Sequence, residues 1–169
     1  MQYSDVPRFP MTPILTIAGA RDLVVQSRQQ GKRVVTTNGV FDILSVPHLR
    51  MLEAAAREGD VLIVGINSDM SVRSFKGDKR PLVPEQQRAE LVAGLWCVDG
   101  VFLFDELDPR VWLRTIKPHV HVNSAEYTEH CVEASVLQDI GARLVLVPRD
   151  TEHLSTSDII RVVSDRYCP

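Results

Sequence analysis

Short apolar runs alternate along this chain with segments of helical spacing. Arg33–Thr37 (RVVTT) is a β-branched run, and Val61–Ile66 (VLIVGI) is apolar on both faces. Val101–Phe104, Val120–Asn123 and Arg143–Val147 (RLVLV) repeat the signal, so five strands are expected. Between them, Val46–Glu58 places Leu49, Leu52 and Ala56 on one side of a helix, and Pro84–Leu95, Arg110–Ile116 and Cys131–Ile140 also read as helices. A helix from about Gly19 to Gln30 carries Ala20, Leu23, Val24 and Ser27 on one face and stops at Gly31, where glycine suits the helix end. Ser157–Ser164 is the last helix. Runs that are apolar on both faces suit strands covered on both sides. This alternation predicts an α/β parallel sheet with helices on both faces and right-handed crossovers. Ligands of such sheets bind at the carboxyl ends of the strands, where the strand order reverses. Met1–Pro13 holds three prolines and no period, and reads as an N-terminal arm. Residues 14–169 are then expected to form one domain, since there is no repeat, low-complexity segment or long linker.

Composition narrows the picture. A chain of 169 residues, 44% apolar and 24% charged, suits an ordinary globular domain. The formal net charge of −3 offers no global basic field, so no nucleic-acid partner is expected. The local cluster Arg73, Lys76, Lys79 and Arg80 still suits phosphate groups. No apolar run has the length of a membrane span, and the N-terminus lacks a signal-peptide pattern. The expectation is a cytoplasmic protein with no membrane partner. Cys97, Cys131 and Cys168 are widely spaced, without a CxxC pair, and read as ordinary thiols rather than a disulfide or metal framework.

Four segments fall where this fold binds ligands. Thr37–His48 (TNGVFDILSVPH) joins the first strand to a helix. Gly39 permits a tight backbone path, and the helix start offers free N–H groups and a positive dipole end to a phosphate. His48 lies in the first turn. Equally, Ser45 is a plain cap and Pro47 a plain first-turn proline. Lys76–Pro81 (KGDKRP) reads as a basic, glycine-containing loop that holds phosphate or is merely solvated. Asn123–Tyr127 (NSAEY) is a polar run at the end of the fourth strand. Arg149 and Leu154–Ile160 (LSTSDII) bring three hydroxyls, Ser155, Thr156 and Ser157, to the start of the last helix, where capping is the alternative use. No G-x-G-x-x-G follows the first strand, which argues against a dinucleotide-dependent redox protein.

Taken together, TNGVFDILSVPHLRML, VLIVGINSDMSV, KGDKRPLVPEQQRAELVAGL, VDGVFLFDE and LSTSDII, in this order, resemble the cytidylyltransferase-like nucleotidyltransferases over Gly31–Val163. The resemblance is nearest to the adenylyltransferase domain of the ADP-heptose synthases, which act on D-glycero-β-D-manno-heptose 1-phosphate. Glycerol-3-phosphate cytidylyltransferases are the competing subfamily. The resemblance implies a Rossmann-like three-layer domain with strand order 3-2-1-4-5. It implies transfer of AMP, or alternatively CMP, from a nucleoside triphosphate to a small phosphorylated acceptor, with pyrophosphate leaving.

It also implies roles. His48 would meet the α/β-phosphates, with Ser45 beside it, and Lys76 would neutralise phosphate charge. Asn38, Gly39, Val40, Phe41, Arg149, Ser155, Thr156 and Ser157 would bind the nucleotide. Asp42, Arg80, Asn123 and Glu126 would serve the acceptor. Magnesium would accompany ATP or CTP without a dedicated carboxylate cage, and a homodimer is the family habit, with Trp96, Trp112 and Phe102 as interface or core. Two departures stand out. Family members read His-x-Gly-His where this chain reads Ser45-Val46-Pro47-His48, and heptose-type members read Lys-Gly-Gly-Asp-Tyr where it reads Asn123-Ser124-Ala125-Glu126-Tyr127. A non-catalytic nucleotide-binding relative is the alternative.

Overall fold

The computed structural model of the protein describes residues 12–126, 131–148, 150 and 152–167. In chain order the elements are β1 (Ile14–Leu15), α1 (Ile17–Gln29), β2 (Val34–Gly39), α2 (Val46–Ala56), β3 (Val61–Asn67), α3 (Asp69–Lys76), α4 (Glu85–Ala93), β4 (Gly100–Phe104), α5 (Arg110–Ile116), β5 (Val120–Ser124), α6 (Ala134–Ile140), β6 (Arg143–Val147) and α7 (Thr156–Tyr167). The strands form one sheet in the order β1-β4-β3-β2-β5-β6, and every pairing is parallel. This is a Rossmann-like α/β fold. The five expected strands are β2 to β6, in the expected order, and the count is corrected to six by β1. That strand has only two residues, too few to show a period, and it pairs Ile14 with Val101 and Leu15 with Phe102. The arm also ends sooner than expected: Thr12 Oγ1 donates to the Val98 carbonyl at 2.9 Å, and the Val101 N–H donates to the Pro13 carbonyl. Residues 1–11 lie outside the described residues.

Alternation along the strands explains the layers. Val34, Val61, Ile63 and Phe102 point into one core with Ala20 and Val24 of α1, Trp112 and Leu113 of α5, and Leu137 of α6. Their neighbours Val35, Leu62, Val64 and Val101 point into the other, with Leu52 of α2 and Ala89 and Val92 of α4. Parallel strands covered on both faces have no solvent face, so they carry no polar alternation. Of the aromatic residues with two expected fates, Phe102 and Trp112 are fully buried, whereas Trp96 is 81% exposed. Cys97 is a buried free thiol and Cys131 a half-buried one, and Cys168 lies outside the described residues. No helix among the described residues is long and apolar enough to cross a membrane.

The chain runs β2, β3, β4 outward on one side and then returns to lay β5 and β6 on the other. The switch point therefore lies between β2 and β5, whose register pairs Val35 with Val120 and Thr37 with Val122.

Candidate active site

Beyond that switch point opens a cleft of about 590 Å³. Of the residues expected from the sequence, Asn38, Gly39, Val40, Phe41 and Asp42 reach it from the end of β2 and its loop, and Ser45 and His48 from the start of α2. Lys76 and Arg80 approach from the segment after β3, and Asn123 and Glu126 from the end of β5. Ser155, Thr156 and Ser157 close it from the start of α7. Arg149 and Tyr127 lie outside the described residues.

The loop after β2 is tightly folded. Phe41 has φ +51°, in the left-handed region that side chains disfavour. Its ring packs back over Gly39, where an added Cβ would lie 3.0 Å from Phe41 Cε2. A side chain there would have to push the ring back by a few tenths of an ångström. The same ring stands 5.5 Å, centroid to centroid, from the imidazole of His48. His48 is the third residue of α2, and its Nδ1 accepts from the Ser45 backbone N–H at 3.2 Å, with the Ser45 hydroxyl at 3.0 Å. A backbone N–H can only donate, so Nδ1 is unprotonated and the ring proton sits on Nε2. Burial holds the His48 pKa below its usual value. The ring is thus a neutral, oriented N–H donor at a helix N-terminus.

The start of α7 combines the two expected uses. Ser155 is a cap: its Oγ donates to Asp158 Oδ2 at 2.6 Å and accepts from the Asp158 N–H at 3.3 Å. Thr156 instead reaches across the cleft and donates from Oγ1 to the Ile43 carbonyl at 3.1 Å. That bond ties the start of α7 to the loop that precedes α2. Two helix N-termini consequently share one concavity: the first turn of α7 offers backbone N–H groups to phosphate oxygens, whereas in α2 Pro47 has none and the capping box takes that of His48, which leaves Val46 and the His48 ring as donors.

Two expected residues are placed differently from the sequence reading. Lys76 is not in a loop. It is the last residue of α3, an eight-residue helix whose apolar positions are too few to show a stripe, and the loop begins at Gly77. Asp42 lines the cleft, but its carboxylate is engaged elsewhere. It accepts from Arg80 Nε at 2.5 Å and from the Leu82 and Val83 N–H groups at 2.7 and 2.9 Å. Asp42 with Arg80 therefore fixes the loop that follows Lys76.

Arg88 of α4 escaped the sequence reading. It is fully buried, and its guanidinium donates to Val83 O at 2.9 Å, Val40 O at 2.5 Å, Asn67 O at 2.9 Å and Asp69 Oδ1 at 2.8 Å. One side chain thereby pins the ends of β2 and β3, the start of α3 and the basic loop. Glu133, also missed, is buried at the cleft wall and accepts from Asn123 Nδ2. Among the described residues no three His, Cys, Asp or Glu side chains converge as a metal cage.

Residues 36–162 match the family described as cytidylyltransferase-like. The bifunctional protein HldE of Syntrophotalea carbinolica is 42% identical over 148 residues, which is 87% of this chain and 30% of that protein. HldE of Geobacter metallireducens is 41% identical over 155 residues, 91% of this chain and 31% of that protein. This chain thus spans about 30% of the length of these curated relatives. Among solved structures, a lipopolysaccharide core biosynthesis protein from Thermoplasma volcanium superposes with a TM-score of 0.58 at 28% identity, covering 71% of this chain and 98% of that one. A pantoate-beta-alanine ligase from Francisella tularensis reaches 0.63 at 13% identity, over 88% of this chain and 73% of that one, a likeness of fold alone.

Proposed function

Because this chain belongs to the cytidylyltransferase-like family, we propose that it transfers a nucleotidyl group from a nucleoside triphosphate to a small phosphorylated acceptor. AMP is the group favoured by likeness to HldE, with CMP as the other candidate, and a sugar phosphate such as heptose 1-phosphate is the acceptor. The observation that carries the reading is the Thr156–Ile43 bond, which ties the start of α7 to the loop before α2 so that both helix starts and His48 line one cleft. An acceptor phosphate oxygen attacks the α-phosphorus, the bond to the β-phosphate bridge breaks, and pyrophosphate leaves. Such a reaction asks the protein for alignment and charge stabilisation rather than for a covalent intermediate. His48 and the first turns of α2 and α7 serve the triphosphate, with the backbone of residues 38–41 lining the nucleotide's place. Lys76 and Arg80 serve the acceptor side. Magnesium enters with the triphosphate as its counterion. Residues 14–169 act as one nucleotidyltransferase domain, as a homodimer.

Pyrophosphate release tests this. The protein is incubated with magnesium, each of ATP and CTP, and a broad panel of sugar and polyol phosphates. Release with at least one pair is expected, and its absence across the panel would sink the proposal. One observation favours a second reading, a nucleotide-binding relative without turnover. Pro47 lines the cleft and brings no N–H to the first turn of α2. Triphosphate binding without any release would select it.

Lys76 gives a sharper check. Its side chain is exposed, with Nζ 5.7 Å from the centroid of the Phe75 ring, and among the described residues no ion pair holds it. Lys76→Ala should lower kcat/KM by roughly tenfold, about 1.4 kcal/mol of transition-state stabilisation. The thermal midpoint should stay within a degree or so of the parent, because exposed side chains away from caps and cores contribute little. Unchanged kcat/KM would make Lys76 a surface lysine only.

A further inference from the structure

We propose that Glu133 selects the nucleotide's base, its carboxylate accepting a hydrogen bond from the exocyclic amino group of adenine or cytosine; this rests on the nucleotidyltransferase reading above. Glu133 is 3% exposed, yet it lines the cleft. Its hydrogen-bond partners are neutral, and the one cation that acts on it, Arg110, does so through space and not as a contact pair. Asn123 Nδ2 donates to Oε1, and the Cys131 thiol lies against the carboxylate: burial first, and then the Glu133 charge, push that thiol's pKa up. Among the described residues no cation stands within ion-pair distance of Glu133, whereas Asp42 on the cleft wall and Asp69 at the start of α3 are paired with Arg80 and Arg88. A buried carboxylate without a cation is costly, and in a cleft built for a polyanion it also repels the ligand's phosphates. It is tolerable where the bound molecule turns a donor toward it.

The distribution of charge says which part of the ligand that is. On the β3 side Asp42 is paired with Arg80 and Asp108 with Arg110, and Lys76 adds a cation beyond these pairs, where a phosphorylated acceptor gains most. Across the switch point stand Glu133, Glu126 and Asp150. Val132, Val147 and Pro148 line the same cleft and supply apolar surface that suits the face of a base. A carboxylate has about four acceptor positions, of which Asn123 and the Cys131 thiol take two. Asn123 is itself held, since its Oδ1 accepts from the Ser124 N–H at 2.8 Å, so the Glu133 carboxylate is aimed rather than mobile. A fixed acceptor pairs with the amino group of adenine or cytosine. It opposes the carbonyl oxygen that guanine and uracil carry at the matching ring position. This assigns Asn123 to the base side of the site rather than to the acceptor, where the sequence reading put it.

The test measures binding of ATP, CTP, GTP and UTP with magnesium to the whole chain by calorimetry. ATP or CTP is expected to bind at least tenfold more tightly than GTP and UTP. The preferred nucleotide is then compared with its analogue lacking the exocyclic amino group, purine riboside triphosphate for ATP or pyrimidinone riboside triphosphate for CTP. A loss of tenfold or more is expected, and this arm needs no variant. In Glu133→Gln the amide can keep its oxygen on Asn123 and turn its NH₂ to the base, so the preference for amino over carbonyl bases should narrow by tenfold or more. Equal binding of the parent nucleotide and its desamino analogue would overturn the inference and leave the nucleotidyltransferase reading intact. If no triphosphate binds at all, both fall together.

Discussion

Arg88→Met is expected to destabilise the fold by about 3–5 kcal/mol, the range for removing one partner of a buried charged pair. Methionine fills much of the volume, so the loss comes from the guanidinium. Three carbonyls, of Val40, Asn67 and Val83, lose their donor, and Asp69 keeps only Arg73 at 3.8 Å. A domain of this size is stable by roughly 5–15 kcal/mol, so about a fifth of the total or more is at stake. Arg88→Lys should recover little, because an ammonium on a flexible stem cannot span four acceptors as the planar fork does. The urea midpoint of the two variants measures the effect. A shift equivalent to less than about 1 kcal/mol would mean that water replaces the guanidinium at all four sites. Any variant that still folds should also bind triphosphate more weakly, because Val40 directly follows β2 and Asn67 ends β3, the two strands that shape the cleft.

The contrast between Arg88 and Leu52 shows what the chain discloses by itself. Leu52 belongs to a local stripe on α2, and its burial follows from spacing within one helix. Strand order is legible for a similar reason: runs such as Val61–Asn67 are apolar on both faces and admit few places other than the middle of a parallel sheet. The cleft is legible because hydroxyls, glycine and histidine gather where strands give way to helices. Arg88 sits on the buried face of α4 beside Ala89 and Val92, and an arginine in a helix ordinarily reads as solvated. Its burial is set by carbonyls from three separate stretches of chain, and nothing near it in the sequence announces them. Glu133 is hidden in the same way, since its partner Asn123 reaches it from the end of β5. Asp42 was found at the right place, but the bonds that occupy its carboxylate come from residues 80–83. The two-residue β1 and the eight-residue α3 were missed because periodicity needs length.

His48→Ala should lower kcat by about 10²-fold or more, with little change in triphosphate affinity, once an acceptor is in hand. The charge on the transferring phosphoryl group shifts toward its equatorial oxygens and the leaving bridge as pyrophosphate departs. A donor aimed at that charge lowers the barrier more than it tightens the ground state. The Nδ1 contact with the Ser45 N–H leaves Nε2–H as that donor. The same contact also caps α2, so alanine removes two things at once, and the cap alone is worth about 1 kcal/mol of stability. His48→Asn separates them. The Asn carbonyl can take the place of Nδ1 at the Ser45 N–H, while nothing takes the place of Nε2. It should match the parent in thermal midpoint and match alanine in kcat. The pH profile adds an independent readout. Burial lowers the His48 pKa, so the ring is neutral above about pH 6.5 and donates equally well from there upward. No loss of kcat through His48 is expected as pH rises from 7 to 9. A donor that had to be charged would instead lose activity as pH climbed through its pKa. If His48→Asn kept the parent kcat, the imidazole would serve the helix alone, and stabilisation of the phosphoryl group would have to come from the backbone N–H groups of α2 and α7.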